Sequence, residues 1–214
     1  MKESYQAVIF DLDGTLYDNR HLPVQLVLSN PLKAFWMLSE RMARRRLAGK
    51  EFESEQAFRD MQYRMIGVKH GSTREAAKQW YETSYMPSMV RLIGQYHPAR
   101  KWIVKLIDSY RNCGIKLAVF SDYAWTHEKL AALGIDESFF DVIADGPQLA
   151  GLKPCKRSFI RVAELLAVPA NSILMIGDRD DTDGVGALAA GMDFINIKKI
   201  KDYKSLFHII KSEK

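Results

Sequence analysis

The sequence has few cysteines and no long apolar run, and each shortage excludes a class of protein. Its two cysteines, Cys113 and Cys155, lie far apart and match no zinc-binding spacing. No stretch approaches the ~20 apolar residues that a membrane span needs, and the N-terminus lacks the apolar core of a signal peptide. We therefore expect no membrane span, and a reduced cytoplasmic protein is the simplest interpretation.

Low-complexity segments and solenoid repeats are also missing from the sequence. Of the 214 residues, 47% are hydrophobic and 11% are aromatic. This composition argues against disorder and is sufficient for one sizeable core, or for one core with a smaller attached unit.

The net charge of +5 is concentrated in one internal segment. Residues 17–98 hold 13 Lys and Arg against 8 Asp and Glu, whereas the rest of the chain has equal numbers of both signs. A basic segment can attract phosphate-bearing small molecules, nucleic acid or an anionic membrane surface. A solvated helical face is the more common explanation, and we favour it for the basic cluster Arg41, Arg44, Arg45 and Arg46.

Hydrophobic patterns predict an α/β fold built on a parallel sheet. The apolar stretch at residues 7–10 is typical of a buried strand, and from residue 115 onward four more short strands alternate with helical patterns. Such alternation favours βαβ units with helices on both faces of the sheet. We therefore expect a Rossmann-like, doubly wound parallel sheet.

The pattern between the first and second strands is helical instead. Residues 18–98 are interpreted as an inserted α-helical domain, and residues 1–17 and 99–214 as the core domain. Within the insertion, Phe35, Leu38 and Met42 recur at helical spacing, and Ser72 with Glu75 is a predicted capping box. At the other end of the chain, residues 203–212 are predicted to form a helix.

Polar residues follow the predicted strands at the points where these strands end. Asp11 and Asp13 follow the first strand, Ser121 ends the second, Lys153 comes after the third, and residues 178–183 follow the fourth. In open α/β sheets, ligands bind at the carboxyl ends of the strands. We therefore expect these side chains to converge on one site.

Carboxylates crowded at one site raise each other's pKa unless a cation is present. Oxygen ligands without His or Cys suit Mg²⁺. The hydroxyl of Ser121 and the ammonium of Lys153 suit the oxygens of a phosphoryl group. One carboxylate can attack phosphorus, and a second carboxylate two residues later can act as an acid and then as a base.

Four short motifs connect these residues to a known family. The segments DLDGT, VFSD, GLKP and GDRDDTD occur in this order, each after or near a predicted strand. They resemble the four motifs of the haloacid dehalogenase superfamily, and the helical insertion resembles the α-helical cap of one of its branches. The resemblance implies a Mg²⁺-dependent phosphatase that acts on a small phosphorylated metabolite through an aspartyl-phosphate.

The resemblance also implies a role for each motif residue. Asp11 would be the nucleophile, and Asp13 would protonate the leaving oxygen and later activate water. The namesake dehalogenases lack the second aspartate, so Asp13 favours phosphoryl chemistry over carbon–halogen cleavage. Ser121 and Lys153 complete the implied catalytic set. Gly14 would allow the sharp turn after the strand.

The implied metal site and phosphate site share several of these residues. Asp11, Asp178 and the backbone carbonyl of Asp13 would bind Mg²⁺, and Asp183 would lie near the metal or orient Lys153. The implied phosphate-binding residues are Thr15, which would also brace the loop, Ser121, Asp122 and Lys153. Asp122 stands where the family often has Asn, so it either points away from the pocket or tunes substrate choice.

Several alternatives stay open at this point. A phosphomutase of the same fold, a non-catalytic phosphate-binding module, and a phosphatase for nucleic-acid ends or lipid head groups would share these motifs. Nucleic acid is the less favoured partner, and the oligomeric state is not predicted. Lys156 is a rival for Lys153, and Asp181 for Asp183; Asp180 and Asp181 are interpreted as acids of the rim.

Overall fold

The computed structural model describes residues 5–200 and 202–208, and its centre is a five-stranded parallel sheet. The strands are β1 (Ala7–Phe10), β2 (Lys116–Ser121), β3 (Val142–Asp145), β4 (Ile173–Gly177) and β5 (Asp193–Asn196). Their order is β3-β2-β1-β4-β5. The predicted α/β fold with a parallel sheet is confirmed.

The first strand lies at the centre of the sheet, between β2 and β4. Phe10, its last residue, is in register with Val119 of β2 and Ile176 of β4. The chain moves outward from β2 to β3 and then crosses to the other side for β4. Ligands of open α/β sheets bind where the strand order reverses in this way, beside the carboxyl end of the central strand.

Nine α-helices are described. The helical insertion, residues 18–98, contains α1 (Leu22–Ser29), α2 (Ala34–Leu47), α3 (Glu55–Val68), α4 (Arg74–Trp80) and α5 (Met86–Tyr96). A π-helical turn, Tyr81–Tyr85, joins α4 to α5. The remaining helices are α6 (Lys101–Asn112), α7 (Thr126–Ala132), α8 (Lys156–Leu166) and α9 (Val185–Ala189). The predicted C-terminal helix is a 3-10 turn over Tyr203–His208, and its later residues lie outside the described part of the chain.

Both faces of the sheet are covered, which is why its central strand, β1, is apolar throughout. Side chains alternate along each strand, so Val8 and Phe10 contribute to one core and Ala7 and Ile9 to the other. The core that contains Phe10 continues into the helical insertion, whereas the second core is completed mainly by α8 and α9. The insertion is therefore packed against the same apolar layer that supports β1.

One local prediction about the insertion, the capping box on Ser72 and Glu75, is wrong. The side chain of Thr73, not Ser72, caps α4 by accepting a hydrogen bond from the amide of Ala76 at 3.1 Å. The amide of Ser72 is instead bonded to the carbonyl of Gly67, so Ser72 belongs to the preceding turn. Ser72 and Thr73 both have the side-chain hydroxyl that is typical of a helix N-cap. Only the backbone conformation determines which of the two residues caps the helix.

The helical spacing of Phe35, Leu38 and Met42 is confirmed, since all three residues lie in α2. Phe35, Leu38 and Met42 are exposed, and α2 instead packs through Met37 and Leu47. Two apolar stripes are present on this helix, and its neighbours select which one is buried. Among the helices described, none combines the length and apolarity needed to cross a bilayer.

Candidate active site

The predicted site residues of β1, β2 and β4 meet at the carboxyl ends of these strands. The amide of Asp11 still donates to the carbonyl of Ile176 at 2.9 Å, so the ladder with β4 extends to the first residue of the loop. Gly14 follows with a φ of +106°, and a Cβ there would lie 2.5 Å from Oδ2 of Asp178. The loops after β1 and β4 can therefore approach this closely only because residue 14 is glycine.

Three carboxylates form the acidic floor of the site. Asp11, Asp178 and Asp183 are buried, and each offers an oxygen that lies within 4.8 Å of those of the other two. Burial raises the pKa of Asp11 well above its usual value, and the charges of Asp183, Asp178 and Asp13 raise it further, against the opposing effect of Lys153. The floor thus concentrates negative charge in a region of low dielectric.

This donor set fits a divalent cation. Oδ1 of Asp178 is buried and has no hydrogen-bond partner among the described residues. A buried carboxylate oxygen without a partner is costly unless a cation or water occupies the space beside it. The ligands available are all oxygens, which suits Mg²⁺ rather than a softer metal.

Lys153 neutralises part of the acidic floor. Its Nζ donates to Oδ1 of Asp11 at 2.5 Å, to Oδ1 of Asp183 at 2.6 Å and to the carbonyl of Phe120 at 3.2 Å. Burial acts to lower the pKa of Lys153, but the charges of Asp11, Asp183 and Asp122 outweigh it and raise that pKa. Lys153 is therefore a permanent ammonium, whereas its sequence rival Lys156 is exposed.

The motif implied that Asp183 would lie near the metal or orient Lys153, and its side chain lies both among the crowded carboxylates and beside Lys153. Its Oδ1 accepts from Lys153, and its Oδ2 accepts from the amides of Asp178 and Arg179 at 3.2 and 3.1 Å. It therefore holds both the lysine and the loop that carries Asp178. Asp180 and Asp181, in contrast, are exposed and pair with surface cations.

Asp13 lies beside the floor in a separate hydrogen-bond network. Its Oδ1 accepts from the hydroxyl of Tyr17 at 2.7 Å, and its Oδ2 accepts from Ser121 at 2.7 Å and from Nζ of Lys129 at 2.6 Å. Burial acts to raise the pKa of Asp13, but the charge and hydrogen bond of Lys129, with the bonds from Tyr17 and Ser121, lower it. Asp13 is therefore held as a carboxylate.

Lys129 is a site residue that the sequence did not reveal. It is fully buried, and its ammonium also donates to the hydroxyl of Ser121 at 2.9 Å. It lies in the short helix α7, eight residues after Ser121, within an ordinary amphipathic pattern. The only available signal was its position one helix beyond the second motif, and lysines at such positions are usually exposed.

The remaining predicted residues support these side chains. The hydroxyl of Thr15 is fully buried and donates to Oδ2 of Asp11 at 2.8 Å, which is the bracing contact that the motif implied. Oδ1 of Asp122 accepts from the amide of Lys153 at 2.8 Å, so this carboxylate fixes the lysine loop while it lines the cavity. All eight predicted site residues therefore lie at one end of the sheet.

A cavity of about 460 Å³ connects the acidic floor to the helical insertion. The insertion contributes an apolar wall and three arginines. The apolar residues are Leu22, Leu26, Met37, Leu38 and Met89, and the arginines are Arg41, Arg44 and Arg45. The predicted solvated face is therefore wrong for Arg44, which is largely buried.

Arg44 is held by contacts on two sides. Its Nε donates to Oε1 of Glu40 at 2.7 Å, and its guanidinium lies 3.7 Å from the ring centroid of Tyr123 and contacts that hydroxyl. Glu40 is itself completely buried and also accepts from the hydroxyl of Tyr85 at 3.2 Å. The cation connects the insertion to the segment that follows β2.

Comparison with known proteins agrees with the motifs and the fold. A sequence model of the haloacid dehalogenase-like hydrolases matches residues 5–191. The chain is 31% identical over 212 residues to a glyceraldehyde 3-phosphate phosphatase from Methanopyrus kandleri, an alignment that covers 92% of this chain and 85% of that protein. The protein belongs to the haloacid dehalogenase-like hydrolases.

Solved structures of other hydrolases share the fold. A hydrolase of this type from Bacillus subtilis, determined with magnesium bound, superposes with a TM-score of 0.66 at 19% sequence identity. The match covers 97% of this chain and 99% of the Bacillus chain. An L-2-haloacid dehalogenase from Xanthobacter autotrophicus superposes with a TM-score of 0.61 at 16% sequence identity. This match covers 92% of this chain and 79% of the dehalogenase chain. Because carbon–halogen hydrolases share this architecture, the fold alone does not identify the bond that is cleaved.

Proposed function

We propose that the protein is a Mg²⁺-dependent phosphatase that hydrolyses a small phosphorylated metabolite through an aspartyl-phosphate on Asp11. The observation that supports this most strongly is the second carboxylate, Asp13, held beside an acidic floor whose donors suit Mg²⁺. A phosphate ester needs a group that moves a proton to the departing oxygen and from the attacking oxygen, and Asp13 would perform this task. The named activity of the Methanopyrus relative points in the same direction.

In this proposal Asp11 attacks phosphorus as the bond to the leaving alcohol breaks. Lys153 and Thr15 hold its two carboxylate oxygens, so the nucleophile enters the reaction already oriented. Asp11, Asp178, Asp183 and the backbone carbonyl of Asp13 would hold Mg²⁺, which would offset the negative charge of the phosphoryl group. Lys153 adds a fixed positive charge to the same region.

Asp13 would then transfer protons in both halves of the reaction. A phosphate dianion close to Asp13 raises its pKa, which favours uptake of the proton that the leaving oxygen receives. Once the alcohol has departed, the network of Tyr17, Ser121 and Lys129 again favours the carboxylate, and Asp13 can take a proton from the attacking water. The water oxygen would bond to phosphorus as the bond from phosphorus to Asp11 breaks, which would release inorganic phosphate and restore the Asp11 carboxylate.

Residues 18–98 would form a cap domain over this site. The insertion already supplies one wall of the cavity, through α1, α2 and α5. Closure of such a wall excludes bulk water and selects the alcohol portion of the substrate.

A phosphate-release screen across phosphorylated metabolites, with glyceraldehyde 3-phosphate included, tests the proposal. We expect release of inorganic phosphate that stops on addition of EDTA and returns with excess Mg²⁺. Full activity in chelator would contradict the metal site. Conversion of a sugar phosphate into an isomer without free phosphate would instead identify a phosphomutase. Calorimetric titration with Mg²⁺ should show binding that Asp178→Asn weakens, and it does not depend on knowing the substrate.

A further inference from the structure

We infer that the substrate carries a second anionic group, which Arg41 and Arg45 bind on the wall of the cavity formed by the helical insertion. The inference rests on the proposed phosphatase function and specifies its substrate class. The compound would be a phosphate monoester whose alcohol portion has an apolar body and an anionic group such as a carboxylate.

The pairing of charges in the cavity supports this assignment. Six cationic side chains line it, and four of them contact carboxylates. Lys153 contacts Asp11 and Asp183, Lys198 contacts Asp178, Arg179 contacts Asp181, and Arg44 contacts Glu40. Arg41 and Arg45 form no ion pair with any described residue. They are the cavity's two cations with charge still available for a ligand.

The spacing of these two arginines brings their charges together. Arg41 and Arg45 are four residues apart in α2, so they lie on one face of the helix, about 6 Å apart along its axis. Like charges at this spacing repel each other. An anion bound between them removes the repulsion and can accept hydrogen bonds from both guanidinium groups.

No acid of the insertion substitutes for such a ligand at this place. Glu40, the acid nearest to Arg41 along α2, is completely buried, and its two oxygens accept from Arg44 and Tyr85. Arg44 in turn is fixed on Tyr123. The buried pair therefore holds α2 in position, and the flanking arginines remain directed to the cavity.

The cavity also has space for more than a phosphate group. Its volume of about 460 Å³ lies within the range of sites for whole small molecules. The same cavity is lined by the apolar side chains of Leu26, Met37 and Met89. An apolar portion of the substrate would replace water on these side chains.

Two aryl phosphates that differ in one charge test the inference. We would compare 4-carboxyphenyl phosphate with its neutral, nearly isosteric analogue 4-carbamoylphenyl phosphate by phosphate release. The wild type should show a kcat/KM at least about tenfold higher for the carboxylate, as expected for charge-assisted hydrogen bonds. Arg41→Gln and Arg45→Gln should each reduce this ratio, and the double variant should bring it close to one.

Arg46 provides the matched control. It lies on the same helix and is exposed, but it does not line the cavity, so Arg46→Gln should keep both the wild-type ratio and the wild-type rates. Thermal unfolding of every variant checks that the fold is retained.

Three results would overturn the inference. These are a wild-type ratio near one, a ratio that survives in the double variant, and an equal loss for both substrates, which would assign the arginines to the transferred phosphoryl group. Each would leave the phosphatase proposal standing, because phosphate would still be released. Absence of release from every phosphate ester would instead refute the proposed function itself.

Discussion

The acidic floor and the wall formed by the helical insertion are both highly charged, but their charged side chains differ in burial and in pairing. At the floor, Asp11, Asp183 and Lys153 are no more than 5% exposed, and the ammonium of Lys153 donates to the two carboxylates at 2.5 and 2.6 Å. On the wall, Arg41 and Arg45 are exposed and unpaired within the described part of the chain. Only Arg44 resembles the floor, because it is buried and has a carboxylate partner.

The difference separates the two tasks of a hydrolase. Buried charges are costly unless paired, so the residues of the floor fix one another in a single geometry, and this geometry determines the reaction. Exposed arginines remain hydrated and avoid this cost of burial, so they can bind different ligands. We therefore expect changes at the floor to affect turnover of every substrate, and changes at the wall to affect selectivity.

The largest effect should follow from Asp11→Asn. An amide is a poor nucleophile, so turnover of every substrate should fall at least about 10³-fold. The substitution also removes one of three crowded negative charges, so the thermal unfolding temperature should be unchanged or higher. Phosphate release and a melting curve measure the two effects. Asp181→Asn, on the exposed rim, should keep wild-type turnover, and comparable activity in both variants would refute the nucleophile assignment.

Substitution of two glycines that both have a positive φ allows a direct comparison of the acidic floor with the helical insertion. A Cβ at Gly14 would meet Asp178, whereas a Cβ at Gly71, in the insertion, would meet nothing within 4 Å. Gly14→Ala should lower kcat about 10²-fold, because the acidic floor must shift. Gly71→Ala should cost about 1 kcal/mol of stability from its left-handed backbone and leave kcat unchanged. Equal losses of kcat would show that the close approach of the two loops has no catalytic role.

Lys129→Gln should have a smaller effect and one that depends on pH. Because the charge of Lys129 lowers the pKa of Asp13, its loss should raise that pKa and move the acidic limb of the kcat profile to higher pH. We expect a loss of about tenfold at neutral pH. Lys156→Gln removes an exposed lysine and serves as the control. A lower kcat without movement of the limb would indicate a purely structural role for Lys129.

The last expected effect concerns stability and not turnover. Burial raises the pKa of Asp145 from 3.8 to about 6, and its Oδ1 accepts from the amide of Gln148. The folded state therefore keeps a proton that the unfolded state loses first, and the free energy of unfolding falls as the pH rises from about 4 to about 6. Asp145→Asn should remove this loss and stabilise the protein by about 1–3 kcal/mol at pH 8, with no gain below pH 4.

Urea unfolding at several pH values measures this difference. Glu53→Gln, an exposed acid of the insertion, is the matched control and should leave the pH dependence as it is in the wild type. A gain for Asp145→Asn that is the same at every pH would contradict the proposed proton linkage.

Much of the candidate active site could be predicted from short segments of sequence. Asp11, Ser121 and Asp178 each end or follow a predicted strand, and parallel strands bring their carboxyl ends to one edge of the sheet. Their convergence therefore follows from the strand pattern. The choice of Lys153 over Lys156 followed from the motif, and the structure buries the first and exposes the second.

What the sequence by itself determined is therefore the family, the parallel sheet and the motif residues at its edge, because these depend on strand order and on local spacing. Only the tertiary structure decided that Lys129 is buried on Asp13, that Arg44 is paired, and that Arg41 and Arg45 are not. A helical period shows which residues share a face, but the elements that pack against the helix determine which face is buried. Whether a charged side chain on a helix is paired therefore depends on which distant segments of the chain pack beside it.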